Sequence, residues 1–250
     1  MVMPRSLTLM SSLRTGLLAV PPVRSVLTRL RELADPDRRA IARMKRTHAQ
    51  AVLQPWPTTF EDRYPEIFTA LDAHLWTIAN PRILSFGCSD GSEVRSLRRW
   101  FPNARIVGLD PNPAMIRTAR AHLALHPDPG ISYIEAANVA DLGDMRFDAI
   151  LAMAVFRHGN LETHAPESCA DILPFNRFAE TVAQLDQRLN PGGWLTIWNA
   201  HFRFCDTPLA SHYEARSLHF TRAAPMQLIY GPDNRRIDDS YCEAMFRKRP

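Results

Sequence analysis

Ile83-Leu84-Ser85-Phe86-Gly87-Cys88-Ser89-Asp90-Gly91-Ser92-Glu93 is the stretch that decides the fold. Residues 83–86 are a short, nearly continuous apolar run, the pattern of a strand covered on both faces. Gly87 and Gly91 follow at once, and glycine lets a backbone turn sharply and lets a ligand approach the main chain. The residues from 92 to 101 then fit helical spacing, so a helix N-terminus points at whatever occupies the turn. The stretch is not a P-loop, because no Gly-Lys-Ser/Thr follows, and it does not meet the GxGxxG dinucleotide pattern.

The same alternation continues downstream. The spacing predicts strands over 105–109, 131–136, 147–153 and 194–198, and helices over 114–125 and 175–189. Asn190-Pro191-Gly192-Gly193 stops the last helix. Alternating β and α units of this size predict an α/β fold with a doubly wound, mostly parallel sheet. Runs at 226–230 and 241–246, joined by a polar loop with Gly231-Pro232-Asp233-Asn234, predict an antiparallel hairpin on the sheet edge. Upstream, a helix is predicted over 60–78, ended by Asn80-Pro81, with Pro55-Trp56-Pro57 as a linker before it.

Composition sets the outer limits. The chain has 250 residues, 46% hydrophobic and 22% charged, which excludes collagen-like and mostly disordered classes. The four cysteines, Cys88, Cys169, Cys205 and Cys242, form no CxxC pair, so zinc-knuckle and thioredoxin-like chemistry lack a basis. No metal-ligand set is recognised: Glu162, His164, Glu167, Cys169 and Asp171 in the 161–173 stretch have no standard spacing, and that stretch reads as a solvated lid. No run of 18 apolar residues is present to span a membrane. Glycine is scarce, ten residues against 20 prolines, so the positions it occupies carry weight.

Charge is split along the chain. Residues 1–50 hold ten Lys/Arg and three Asp/Glu, whereas the rest of the chain is slightly acidic. Apolar stripes at helical spacing over 4–20 and 23–33 make residues 1–57 a basic helical extension, with 58–250 as the main domain. The extension suits contact with a membrane surface or an acidic protein. Nucleic acid is a poor partner for it, since no aromatics are interleaved for stacking. The expected location is cytoplasmic, peripheral to a membrane if the extension docks there.

The second informative stretch is Gly108-Leu109-Asp110-Pro111-Asn112-Pro113. Asp110 ends the second strand, where a carboxylate can accept both hydroxyls of a ribose, and Asn112 is placed to cap the next helix. Here the residues resemble the class I S-adenosylmethionine-dependent methyltransferases. Further matches are Ala137-Asn138-Val139-Ala140-Asp141-Leu142 after the third strand, Phe147-Asp148-Ala149-Ile150-Leu151-Ala152 and Leu189-Asn190-Pro191-Gly192-Gly193-Trp194-Leu195. The resemblance spans about residues 60–250 and implies a seven-stranded Rossmann-like sheet with S-adenosyl-L-methionine as cofactor.

Carried over by position, the resemblance puts Phe86, Gly87, Cys88, Ser89 and Gly91 along the methionine and ribose end of the cofactor. It puts Asp110 on the ribose, Pro111 and Asn112 beside the adenine, Asn138 at the adenine edge, Val139 against the ring and Ala154 near the methyl group. Ala154-Val155-Phe156-Arg157-His158-Gly159 faces the substrate in that family, which makes His158 a candidate general base and Arg157 a candidate holder of an acceptor anion. Residues 206–222, with His212, Tyr213 and His219, are expected to cover the acceptor pocket. The implied activity is methyl transfer to oxygen or nitrogen of a small molecule. Gly-Cys-Ser-x-Gly-x-Glu also resembles the loop of the chemotaxis-receptor glutamate methyltransferases, so a protein carboxylate is the alternative acceptor. A non-catalytic, membrane-associated scaffold is the third possibility.

Overall fold

The computed structural model describes residues 52–220 and 228–250, together with Asp35, Arg39, Ala42, Met44 and Arg46. The amphipathic stripes at 4–20 and 23–33, and the first two residues of the 226–230 strand, lie outside these residues.

Nine strands and five helices organise the described chain. In order they are α1 (Pro65–Leu75), β1 (Arg82–Phe86), α2 (Ser92–Trp100), β2 (Arg105–Asp110), α3 (Pro113–Leu125), β3 (Ile131–Glu135), β4 (Phe147–Met153), α4 (Gly159–His164), α5 (Phe175–Arg188), β5 (Leu189–Trp198), β6 (Tyr213–Ser217), β7 (Ile229–Tyr230), β8 (Arg236–Ile237) and β9 (Glu243–Lys248). Seven strands form one sheet in the order β3-β2-β1-β4-β5-β9-β6. The first five pair in parallel, and β9 joins antiparallel between β5 and β6.

The central strands are buried on both faces, as their apolar runs require. One face is covered by α5, whose Phe178, Val182 and Leu185 recur at helical spacing and pack with Phe156 and Phe202. The other is covered by α1, α2 and α3, through residues such as Phe68, Leu71, Val94, Leu97 and Ile116. In α2 the arginines Arg95, Arg98 and Arg99 take the outer side and pair with Glu61, Asp62 and Asp128.

Several sequence expectations shift. The helix predicted over 60–78 runs only from Pro65 to Leu75, because proline favours the first helical turn and Tyr64 before it is not helical. The Asn190-Pro191-Gly192-Gly193 turn is absorbed into a long, irregular β5. The predicted hairpin is wrong in its partner: β9 pairs with β6, whereas β7 pairs with β8 in a separate ribbon. Within the 206–222 stretch, β6 is the edge strand of the sheet. Tyr213 is buried and donates to Asp186 Oδ1 at 2.6 Å. The 161–173 stretch is not a solvated lid either, since Leu161, Cys169 and Leu173 are fully buried in the α5-side core.

Asn112 caps α3 as expected. Its Oδ1 accepts from Ala114 N at 3.0 Å and Met115 N at 3.5 Å. Asn112→Ala should lower stability by about 1 kcal/mol, read as a reduced urea midpoint with an unchanged slope.

Candidate functional site

In this strand order the chain reverses direction of travel between β1 and β4. Crossovers then leave on opposite sides, and a crevice opens at the C-terminal strand ends. A cleft of about 950 Å³, its open mouth included, lies there. Its floor is Phe86, Gly87, Ser89, Asp110, Pro111, Asn112 and Ala154. Its far wall comes from Leu53 through Tyr64, a stretch whose sequence predicts a linker at 55–57 and the start of a helix at 60.

The glycine loop is clipped to β2. Gly87 N and Cys88 N both donate to Leu109 O, at 2.8 and 3.1 Å. Gly87 has φ +79°, and a Cβ there would sit 2.5 Å from Val155 Cγ2. Asp110 fixes the rest of the loop: its Oδ2 accepts from Ser89 N at 2.9 Å and its Oδ1 from Asn112 N at 2.8 Å. Burial raises the Asp110 carboxyl to about 6, against the opposing pull of those two amides. Each carboxylate oxygen still has acceptor capacity toward the cleft.

Glu93, on the first turn of α2, also lines the cleft, as does Asp62. Its Oε1 accepts from Ser85 Oγ at 2.7 Å. Burial pushes the carboxyl up to about 7, and the Ser85 hydroxyl and the charge of Arg63 partly offset this. Arg63 is itself held in place. Its guanidinium lies over the rings of Phe60 and Tyr64, 5.5 and 5.2 Å from their centroids, and its Nη1 donates to Thr58 O at 3.1 Å. A cation and an anion thus face one cleft, the pairing that an amino acid's carboxylate and ammonium require.

The wall segment is tied down at both ends. Arg177 on α5 donates to Val52 O at 3.0 Å, and Ser89 Oγ donates to Pro57 O at 3.1 Å. Trp56 packs on Gly159, where a Cβ would lie 3.3 Å from the indole. The Pro55-Trp56-Pro57 stretch is therefore part of the site, not a spacer, because its prolines and its buried neighbour Leu53 pack into the domain.

A methyltransferase-domain family model matches residues 83–193, the span from β1 into β5. Residues 83–193 are similar to a methyltransferase domain. The sheet order and the methyltransferase domain's glycine loop agree with that assignment. Among curated relatives, a trans-aconitate 2-methyltransferase of Rhodopseudomonas palustris (strain BisA53) is 30% identical over 98 residues, 39% of this chain and 36% of the relative. One from Yersinia pestis (strain Pestoides F) is 37% identical over 78 residues, 31% of this chain and 28% of the relative. The chain thus spans about a third of the length of the curated relatives it matches. Similar solved structures include the plantazolicin methyltransferase BpumL in complex with SAH, at 18% identity and TM-score 0.40, covering 66% of this chain and 54% of that one. Another is PKMT2 from Rickettsia typhi in complex with AdoHcy, at 15% identity and TM-score 0.42, covering 56% and 26%.

Not every residue expected at the methyltransferase domain's cofactor site reaches the cleft. Phe86, Gly87, Ser89, Asp110, Pro111, Asn112 and Ala154 line it. The Cys88 side chain turns inward to Gly108 and Tyr133, and burial drives its thiol pKa up. Gly91 shapes the turn at the start of α2 and is not a lining residue. Asn138 Oδ1 accepts from Ala140 N at 2.8 Å to cap a short turn, and Val139 is buried in the core, so Ala137 lines the cleft in their place.

The two catalytic candidates also have other positions. His158 Nδ1 accepts from Asn160 N at 3.2 Å and caps α4. Arg157 pairs with Glu162 and donates to Asn199 Oδ1 at 2.5 Å. Neither lines the cleft. Sequence reasoning missed Arg63, Tyr64 and Glu93. Only Glu93, inside the loop motif, offered a signal.

Proposed function

We propose that the chain transfers the methyl group of S-adenosylmethionine to an oxygen or nitrogen of a small-molecule acceptor. Asp110 carries this reading. A buried carboxylate at the end of β2, oriented by two loop amides, is built to accept a pair of vicinal hydroxyls. Arg63 and Glu93 supply the partners for the carboxylate and ammonium of the methionine end. The donor arrives already activated as a sulfonium, so the site's task is alignment of the methyl group with the nucleophile. The positions of His158 and Arg157 fit that division of labour, since neither stands where it would take a proton in the cleft. The relatives named for trans-aconitate support a small acceptor.

Calorimetric titration of the wild-type chain with S-adenosylhomocysteine tests the cofactor half, and absence of binding would sink it. The same titration has a built-in pH signature. Glu93 must be ionised to pair with the ammonium, and its carboxyl stands at about 7 in the free protein. Affinity should therefore rise with pH between about 5.5 and 7, by up to tenfold per unit, and level off above. Binding on the acid side should release a proton, and Glu93→Gln should remove the rise between about 6 and 7 and leave only the one below about 6 that belongs to Asp110.

A further inference from the structure

A directional chain of hydrogen bonds runs from the connection between β4 and α4 into the cleft. Arg157, just past β4, donates from Nη1 to Asn199 Oδ1 at 2.5 Å. A guanidinium only donates, so the amide atom facing it is the oxygen and the amide nitrogen faces the other way. Asn199 Nδ2 then donates to Tyr64 Oη at 3.0 Å. The Tyr64 oxygen is thereby an acceptor on that side, and its own proton points elsewhere. Tyr64 lines the cleft, beside Arg63 and within electrostatic reach of Glu93.

The backbone supports the same conclusion. Asn199 at the end of β5 has φ +56° and Ala154 at the end of β4 has φ +57°. Left-handed non-glycine residues cost of order 1–3 kcal/mol and persist where the surroundings hold them. Here the strained Asn199 is held by Arg157 on one side and Tyr64 on the other.

We infer that Tyr64 donates its hydroxyl proton to the carboxylate of the cofactor's methionine end, and that Arg157 and Asn199 are positioning residues that keep that proton turned into the cleft. The inference rests on the cleft being the S-adenosylmethionine site. It gives Arg157, expected from the sequence to touch an acceptor, a role through two other side chains.

The test is calorimetry with S-adenosylhomocysteine and with its decarboxylated analogue. Tyr64→Phe should weaken the first by roughly tenfold or more, the loss expected for a hydrogen bond to a charged group, and leave the second unchanged. Asn199→Asp is the sharper variant. Its carboxylate keeps Arg157 as partner but accepts the Tyr64 proton, drawing it out of the cleft. That variant should melt at or above the wild-type temperature yet lose the same discrimination between the two compounds. A purely structural Tyr64 would weaken both compounds equally, and that result overturns the relay, as does wild-type affinity in Asn199→Asp. If the wild-type chain binds neither compound, the cofactor reading fails and the relay fails with it.

Discussion

Asp110→Ala should lower the affinity for S-adenosylmethionine more than a hundredfold, which is about 3 kcal/mol or more. Two losses combine. The ribose hydroxyls lose a charged acceptor, and hydrogen bonds to charged groups contribute about 1.5–3 kcal/mol each. In addition, Ser89 N and Asn112 N, both in buried residues, each lose their oxygen of the one carboxylate. Unmet buried donors cost about 1–3 kcal/mol, so the loop shifts away from the geometry that receives the ligand. Asp110→Asn separates the contributions poorly, for a physical reason. Its amide has one acceptor atom for two incoming N–H groups, so whichever way it faces, one backbone donor meets an NH2. That variant should also lose stability by about 1–3 kcal/mol in urea denaturation. Binding by Asp110→Ala within a few-fold of wild type would remove Asp110 from the site and, with it, the observation on which the proposed function stands.

The reach of the sequence follows from which forces are local. The β1–α2–β2–α3 unit is legible because its signals lie within a few residues of one another: an apolar run, a glycine turn, an acid at a strand end, a cap. Asn112 and Asp110 were read from such signals, and both stand as expected at the end of β2 and the start of α3. The wall of the site was not legible, because its contacts join distant residues. Asn199 reaches Tyr64 across 135 positions, and Arg177 reaches Val52 across 125. No periodicity encodes such a meeting. Side-chain direction in the loop was equally hidden. Cys88 sits in the motif between two glycines that shape the loop, yet the turn after β1 sends its thiol toward Gly108. The edge strands failed for a related reason. Runs 213–217, 229–230 and 243–248 are short, and their partners are chosen by the sheet edge each can reach, so the nearest apolar run in sequence was the wrong partner for β9.

Gly91→Ala should destabilise the fold by about 3–4 kcal/mol, a large effect for a single methyl group. Gly91 opens α2 with φ +84°, a conformation that costs a residue with a Cβ roughly 1–2 kcal/mol. The steric term is separate. A Cβ at Gly91 would lie 2.5 Å from Tyr133 Oη and about 3.0 Å from Cζ. Tyr133 has nowhere to retreat, because the same ring stands against Gly108 on β2, where a Cβ would meet its Cδ1 at 2.7 Å. Two glycines on neighbouring elements therefore make the slot for one buried tyrosine, which packs β3 under the glycine loop. Tyr133→Phe removes the atom in closest conflict and leaves the backbone term untouched. In a double-mutant cycle by urea denaturation, Tyr133→Phe should recover about 1–2 kcal/mol of the Gly91→Ala loss and cost little on its own. Strict additivity of the two substitutions would show that the clash is relieved by loop movement instead. Affinity for S-adenosylhomocysteine distinguishes that case: a displaced loop carries Ser89 off Asp110 and weakens binding even where stability has been regained.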